Sequence, residues 1–499
     1  MTALAPTKPQ LELSDASGKW VLAAAVLGSG LAMIDATVVN IALPALGRDL
    51  QADFAGLQWT INGYTLTLAA FILLGGSLGD RYGRRRVFII GTVWFAAASM
   101  LCALAPNIEL LVAARALQGI GGALLTPGSL AIIAATFSEA DRPEAIGAWS
   151  GLGGIATAIG PFLGAYLVAG PGWRWIFFVS VPVAAAVVAI AARHVPESRD
   201  PGAAPQLDLA GAALGAVGLG ALTYGLTAAG QGWSVTTVAM LGVGLVALGL
   251  FVLNEFRTSH PMLPPDIFAN RQFSAANIVT FLVYGALGPL FLLLVVALQV
   301  VAGFSPVLAG AALLPVTLLM LVLSARAGEL AGRIGPRLPM SLGPLVAAGG
   351  VLLMLRIGPG SSYIVDVLPS TVVFGLGLSL LVAPLTATVL AAAEARHAGI
   401  ASGVNNAVAR AAGLLAVAVL PVLAGISGDD YQQPEMFLVG FRTALVWCAG
   451  LLTLGGLVAG ALIRNPARSP EPSHRRTFCT LESPPLQAKR DPNHLPLRR

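Results

Sequence analysis

GSLGDRYGRRR, Gly76 to Arg86, lies between two apolar runs, one ending near Gly76 and the next starting at Val87, and reads as a very short loop joining two membrane-spanning helices. A connection this short stays at the membrane surface. Gly76, Gly79 and Gly83 allow close approach and tight turning, Asp80 is the only acid, and Arg81, Arg84, Arg85 and Arg86 make the loop strongly cationic. Short cationic loops stay in the cytoplasm, which is where this one is expected. Further along, GELAGRIGPR repeats the order, with Gly328, Leu330, Arg333, Gly335 and Arg337 matching Gly76, Leu78, Arg81, Gly83 and Arg85. The chain therefore reads as two related halves. A loop that merely satisfied the positive-inside rule would need neither ordered glycines nor a later copy.

Composition agrees. Of 499 residues, 56% are hydrophobic and only 11% charged, and the mean hydropathy is +0.80, which excludes a water-soluble domain. The net charge of +5 comes from arginines in short connections, so no nucleic-acid partner is expected; the partners are a lipid bilayer and a small organic substrate. Cys102, Cys448 and Cys479 have no CxxC spacing or histidine partners, so neither disulfide nor metal is expected. No phosphate-binding loop G-x-x-x-x-G-K-[ST] occurs, and no Ser/His/Asp set, so ATP-driven pumping and enzymatic activity are unsupported. Met1 to Lys19 is polar, and no cleavable signal is expected.

Apolar stretches of about 20 residues predict an all-α membrane fold of about fourteen spans. A cytoplasmic segment, 1–17, precedes a six-helix bundle over 18–193. A linker, 194–206, leads to an inserted two-helix hairpin over 207–254, and a second six-helix bundle covers 255–463. The tail, 464–499, rich in proline and charge, reads as a disordered cytoplasmic extension. Lysine and arginine bias places both termini in the cytoplasm of a cell-membrane protein. Halves repeated in this way are related by an axis along the membrane normal. A monomer is expected.

Several spans carry polar groups. Asp35, within GSGLAMIDATVVNIALPAL, lies well inside an apolar run, where an ionised carboxylate costs several kcal/mol. It must face a cavity, meet a partner or bind a proton; a helix-bonding structural role is the alternative. In LVAARALQGIGGALL, Arg115 is deep in the fourth span and Gln118 follows. A guanidinium stays charged, which suits Arg115 to a fixed countercharge for Asp35 better than to a proton carrier; the alternative is an arginine reaching for the membrane surface. Gly160, Pro161 and Gly164 predict a bend in the fifth span. Trp173, Arg174 and Trp175 read as an interfacial anchor. Asn405, Asn406 and Arg410 either line a cavity or bond across helices. Asn40, Trp59, Asn62, Tyr64 and Gln118 are further cavity candidates.

On these motifs the chain resembles the major facilitator superfamily, whose loop between helices two and three carries G-x-L-x-D-R-x-G-R-R. The R-x-x-Q-G of the fourth span matches the same family's pattern, and IDATVVNIALP, WRWIF and GIASGVNNAVARAAG resemble its fourteen-helix drug/proton antiporter branch. The resemblance implies two six-helix bundles with two inserted helices, Asp35 in proton coupling, and Gly160, Pro161 and Gly164 as the antiporter motif, from which Ala165 departs by replacing a glycine. It further implies a loop, Gly76, Asp80, Arg81, Gly83, Arg84 and Arg85, that latches the cytoplasmic side. The function expected is export of amphipathic or cationic compounds in exchange for protons, with no other cofactor. The rivals are an importer or facilitator on the same fold and a non-transporting receptor whose working part is the tail.

Overall fold

A computed structural model describes residues 11–138, 141–200, 207–392, 398–428 and 430–465. Residues 201–206 of the expected linker, the tail beyond 465 and His397 fall outside them. Fourteen helices among the described residues are long and apolar enough to cross a membrane, as expected from composition. In chain order they are α1 (Ala16–Asp49), α2 (Phe54–Tyr82), α3 (Arg84–Leu104), α4 (Ile108–Thr136), α5 (Arg142–Ala169), α6 (Trp175–His194), α7 (Leu209–Ala229), α8 (Val235–Arg257), α9 (Arg271–Val301), α10 (Pro306–Ile334), α11 (Arg337–Arg356), α12 (Tyr363–Ala391), α13 (Ala398–Leu423) and α14 (Pro434–Leu462). The β pairing among the described residues is one isolated bridge, Leu11 to Phe137. Helix starts follow local chemistry. Asp53, Asn107, Asp208 and Ser234 each accept from a backbone N–H of the first turn, at 2.8, 3.0, 2.7 and 3.1 Å, which satisfies donors that a helix start leaves open.

The two halves pack by one rule. In the first, α4 lies against α2 and α3, and α1 against α5; in the second, α12 lies against α10 and α11, and α9 against α13. Across the seam α2 meets α13 and α10 meets α5, the same pairing read from either half. This is what a duplicated bundle predicts. Lipid offers no hydrophobic drive between helices, so contact relies on small residues. A Cβ on Gly121 would stand 2.7 Å from the Phe95 nitrogen, and one on Gly377 would stand 2.6 Å from the Gly343 oxygen. The inserted hairpin packs on α2 and α13 through α7, with α8 against α7.

Hydrogen bonds across the seam cluster at one end, opposite the arginine-rich loop. Gln58 donates to the Val417 carbonyl at 2.7 Å, Gln299 to that of Ile41 at 3.0 Å, and the Tyr431 hydroxyl to that of Ala52 at 2.6 Å. The Phe54 N–H bonds the Gly428 carbonyl at 2.9 Å, and Gly310 of α10 packs against Pro161 and Ala165 of α5. Toward the arginine-rich end, Gly147 and Gly151 of α5 and Gly332 of α10 face open space. The seam's hydrogen bonds gather at the far end, while nearer the arginine-rich end Gly403 of α13 still packs against Leu73 of α2.

Candidate functional site

Asp35 and Arg115 meet inside the first bundle. An Arg115 Nη1 to Asp35 Oδ2 distance of 2.6 Å joins them, and each side chain is only 2% exposed. Gln118, one helical turn beyond Arg115, donates to Asp35 Oδ1 at 2.9 Å and to Ser99 Oγ at 2.8 Å, while its own carbonyl accepts from Arg115. Arg115 Nε donates to the Thr60 carbonyl at 3.1 Å, and its guanidinium lies 4.4 Å from the Tyr64 ring centre, an attractive cation–π placement. Both carboxylate oxygens thus have donors, and the guanidinium has acceptors on α1, α2 and α4. A buried pair is tolerable only when so completed. The surface-reaching alternative for Arg115 is removed by its depth, and Asp35 has the partner its burial demanded. The carboxyl is closed off from solvent in this conformation.

Close packing carries α1 into this position. Gly160 of α5 lies against Thr37, and a Cβ on Gly164 would meet Val38 at 3.1 Å. Pro161 lies within a continuous helix, with its carbonyl toward Gly310 across the seam. The residues expected to bend α5 stand at a crossing point of α1, α5 and α10. Ala165, the departure from the family pattern, packs its methyl on Gly310, so the glycine that permits contact here sits on the opposing helix.

The arginine-rich loop engages its own half. Gly83, at φ 119° and ψ 125°, separates α2 from α3, a left-handed φ that favours glycine; Gly335, at φ 90°, separates α10 from α11 in the second half. Asp80 pairs with Arg84 at 2.7 Å, and Arg81 lies over the Tyr82 ring. Glu197, just past α6, accepts from the N–H groups of Arg85 at 3.1 Å and Arg86 at 3.2 Å, capping α3. Arg84 N–H bonds the Ser198 carbonyl, and Asp200 N–H that of Asp80. Arg85 Nη1 reaches the Val195 carbonyl at 3.2 Å. Among the described residues, these bonds of the loop run to residues 195–200 of its own half. Gly76 packs loosely on Pro127. Sequence reasoning missed Glu197, a single acid in a polar linker with no periodicity to mark it. Removing it with Glu197→Ala is expected to cost about 0.5–2 kcal/mol of helix capping, read as a lower thermal midpoint, with Glu197→Gln losing less.

The other candidates divide. Asn405 bonds Asn277 Oδ1 at 3.1 Å and Thr280 Oγ1 at 2.8 Å, so it joins α13 to α9. Asn406 is exposed. Asn40 bonds its own helix at Ala36. Asn62 is buried, with neither amide atom hydrogen-bonded. Trp59 lies against Tyr224 of the inserted hairpin, in a groove with Gln231 between α2, α4 and α7, away from the α2–α13 seam. Trp173 is buried and bonds Asp49 at 2.9 Å, and Arg174 pairs with the same carboxylate, while Trp175 is exposed. Arg410 is half-buried and shares the α13 face of Gly403, Ala407 and Val417, which touches α2. Its charge acts on Tyr64 and Tyr284, and among the described residues no ion pair holds it.

Two duplicated helical bundles, a seam fastened at one end and an ion pair buried beside it define a membrane carrier, not an enzyme. Residues 25–417 match the model of the Major Facilitator Superfamily, and the chain belongs to that family. It is 35% identical to the puromycin resistance protein pur8 of Streptomyces alboniger, over 89% of this chain and 91% of that protein. It is also 35% identical to the tetracenomycin C resistance and export protein of Streptomyces glaucescens, over 85% and 80%, and 34% identical to the multidrug efflux pump LfrA of Mycolicibacterium smegmatis, over 78% and 77%. Among solved structures, the peptide transporter POT in complex with sulfate shares the fold with a TM-score of 0.64 at 15% identity, over 88% of this chain and 94% of that one.

Proposed function

We propose that this multi-pass membrane protein exports small amphipathic organic compounds, of the antibiotic and drug class its relatives are named for, in exchange for protons. The Asp35–Arg115 pair is the observation that carries the proton step. Protonation removes the negative partner, and the guanidinium then holds the α2 backbone at Thr60 on different terms. Two residues away, Gln58 makes the seam bond to Val417. A change of charge at Asp35 is thus one helical half-turn from the contact that fastens the halves. Half-buried Arg410 stands on the α13 face that meets α2, and the Arg115 guanidinium lies over the Tyr64 ring.

The positive-inside rule puts the arginine-rich end in the cytoplasm, with N and C termini on that side. This conformation is then fastened outside and loosened inside, ready to take cargo from the cytoplasm. Alternating access moves the fastening to the other end. Inverted membrane vesicles with an acid interior, challenged with puromycin and tetracenomycin C, test the reading. At least one is expected to collapse the pH gradient; transport of these compounds that ignores the gradient would indicate a facilitator and contradict the exchange.

A further inference from the structure

At the arginine-rich end of the inserted hairpin, Asp208 stands just before α7 and Glu255 lies in the last turn of α8. The helices are pressed together through Gly218, Gly225 and Gly244, where a Cβ would meet the opposing leucines, and that contact brings the two acids face to face. Glu255 is 3% exposed. Its Oε2 accepts from the Leu263 N–H at 2.8 Å, whereas Oε1 is buried and has no donor. A methyl group on Gly211 would run into Asp208 Oδ2 and stand 2.7 Å from Glu255 Oε1, so both carboxyls close over one spot. Asp208 acts on Glu255 as a charge and as a side-chain partner.

Donors from elsewhere do not resolve this contact. Asp208 Oδ1 takes the Gly211 N–H at 2.7 Å, and Asn254 Nδ2 lies 3.1 and 3.0 Å from its two oxygens. Facing Glu255 are Asp208 from the α7 side, Asn254 on α8 itself and the backbone of Met262 and Leu263 from the following stretch. Arg257 and His260 are exposed, and among the described residues no cation pairs with either acid. Two facing carboxylates without a cation disfavour double ionisation, and such a pair titrates as a unit. One hydrogen placed between them supplies the donor that Oε1 lacks.

We propose that Asp208 and Glu255 form a second proton-binding site, separate from the Asp35 pocket, which holds one shared proton and pins the two ends of the inserted hairpin together. Losing that proton sets two negative charges against each other at the hairpin base. Because the hairpin packs on both α2 and α13, the loss is transmitted to the seam between the halves.

The full-length protein in detergent tests this. A proton held in the fold and released on unfolding makes stability fall as pH rises until the folded site itself gives the proton up, so the wild-type thermal midpoint should drop by roughly 2 °C per pH unit between about pH 5 and 7 and level off above that. Glu255→Gln should flatten that slope, and an unchanged slope overturns the proposal. Restoration of the high-pH midpoint by sodium or potassium chloride, and not by acid, would make the pair a cation site and equally overturn it. Should Glu255→Gln fail to fold, infrared spectroscopy of Asp35→Asn decides: a protonated-carboxyl band at pH 6 supports the shared proton, and its absence overturns it.

Discussion

Asp35→Asn is expected to abolish efflux driven by a pH gradient while leaving the protein in the membrane. The asparagine carbonyl still accepts from Arg115 or Gln118, and Arg115 keeps the Thr60 carbonyl, the Gln118 carbonyl and the Tyr64 ring face. Those neutral contacts hold the pocket. What is lost is the only group in it that can exchange a carboxyl proton. Asp35→Ala is the harsher change, because it withdraws a partner from a buried pair and costs about 3–5 kcal/mol. Accumulation of puromycin in cells expressing each variant, with folded yield measured by size-exclusion chromatography, separates the effects. Asparagine should give wild-type yield without efflux, and alanine should lower both. Full gradient-driven efflux by Asp35→Asn would remove the carboxyl from the mechanism.

Gly83→Ala is expected to be nearly as damaging, for reasons local to the loop. At φ 119° an alanine is strained by about 1–3 kcal/mol, and its methyl would stand 2.7 Å from Cδ of Glu197. The carboxylate cannot withdraw without dropping the N–H groups of Arg85 and Arg86. Strain and the lost cap therefore arrive together, and transport should fall by at least tenfold, the size of a change of about 1.4 kcal/mol in the balance between conformations. Adding Glu197→Ala relieves the clash but not the strain. The double variant should unfold below Glu197→Ala by the remaining backbone strain alone and by less than the sum of the two single losses, a non-additive result expected of touching residues; simple addition of the two losses would mean that Gly83 and Glu197 act independently.

Much of this was legible because lipid imposes strict rules. Fourteen apolar runs follow from the length a bilayer demands, and the repeat of glycine and arginine around Gly83 and Gly335 marked the duplication before any packing was known. Asp35, Arg115 and Gln118 stood out because ionised and amide groups are costly in hydrocarbon and must be matched. Other residues were illegible for the same physical reason in reverse. Gln58, Gln299 and Tyr431 fasten the seam through backbone carbonyls far along the chain, and no spacing in the chain encodes which carbonyl comes within reach. Glu197 and Glu255 sit at helix ends, where an acid is ordinary, and only their surroundings set them apart. Trp59 seemed suited to a central cavity because it is aromatic, yet the rotation of α2 turns it to the inserted hairpin.

The central claim is that Asp35 exchanges a proton as cargo binds, and proton counting on the purified protein tests it most directly. Puromycin, or whichever compound collapses the vesicle gradient, is added to weakly buffered protein containing a pH-sensitive dye. The account predicts proton release that saturates with binding in the wild type and vanishes in Asp35→Asn. Release of the same size from Asp35→Asn, with binding intact, would contradict it.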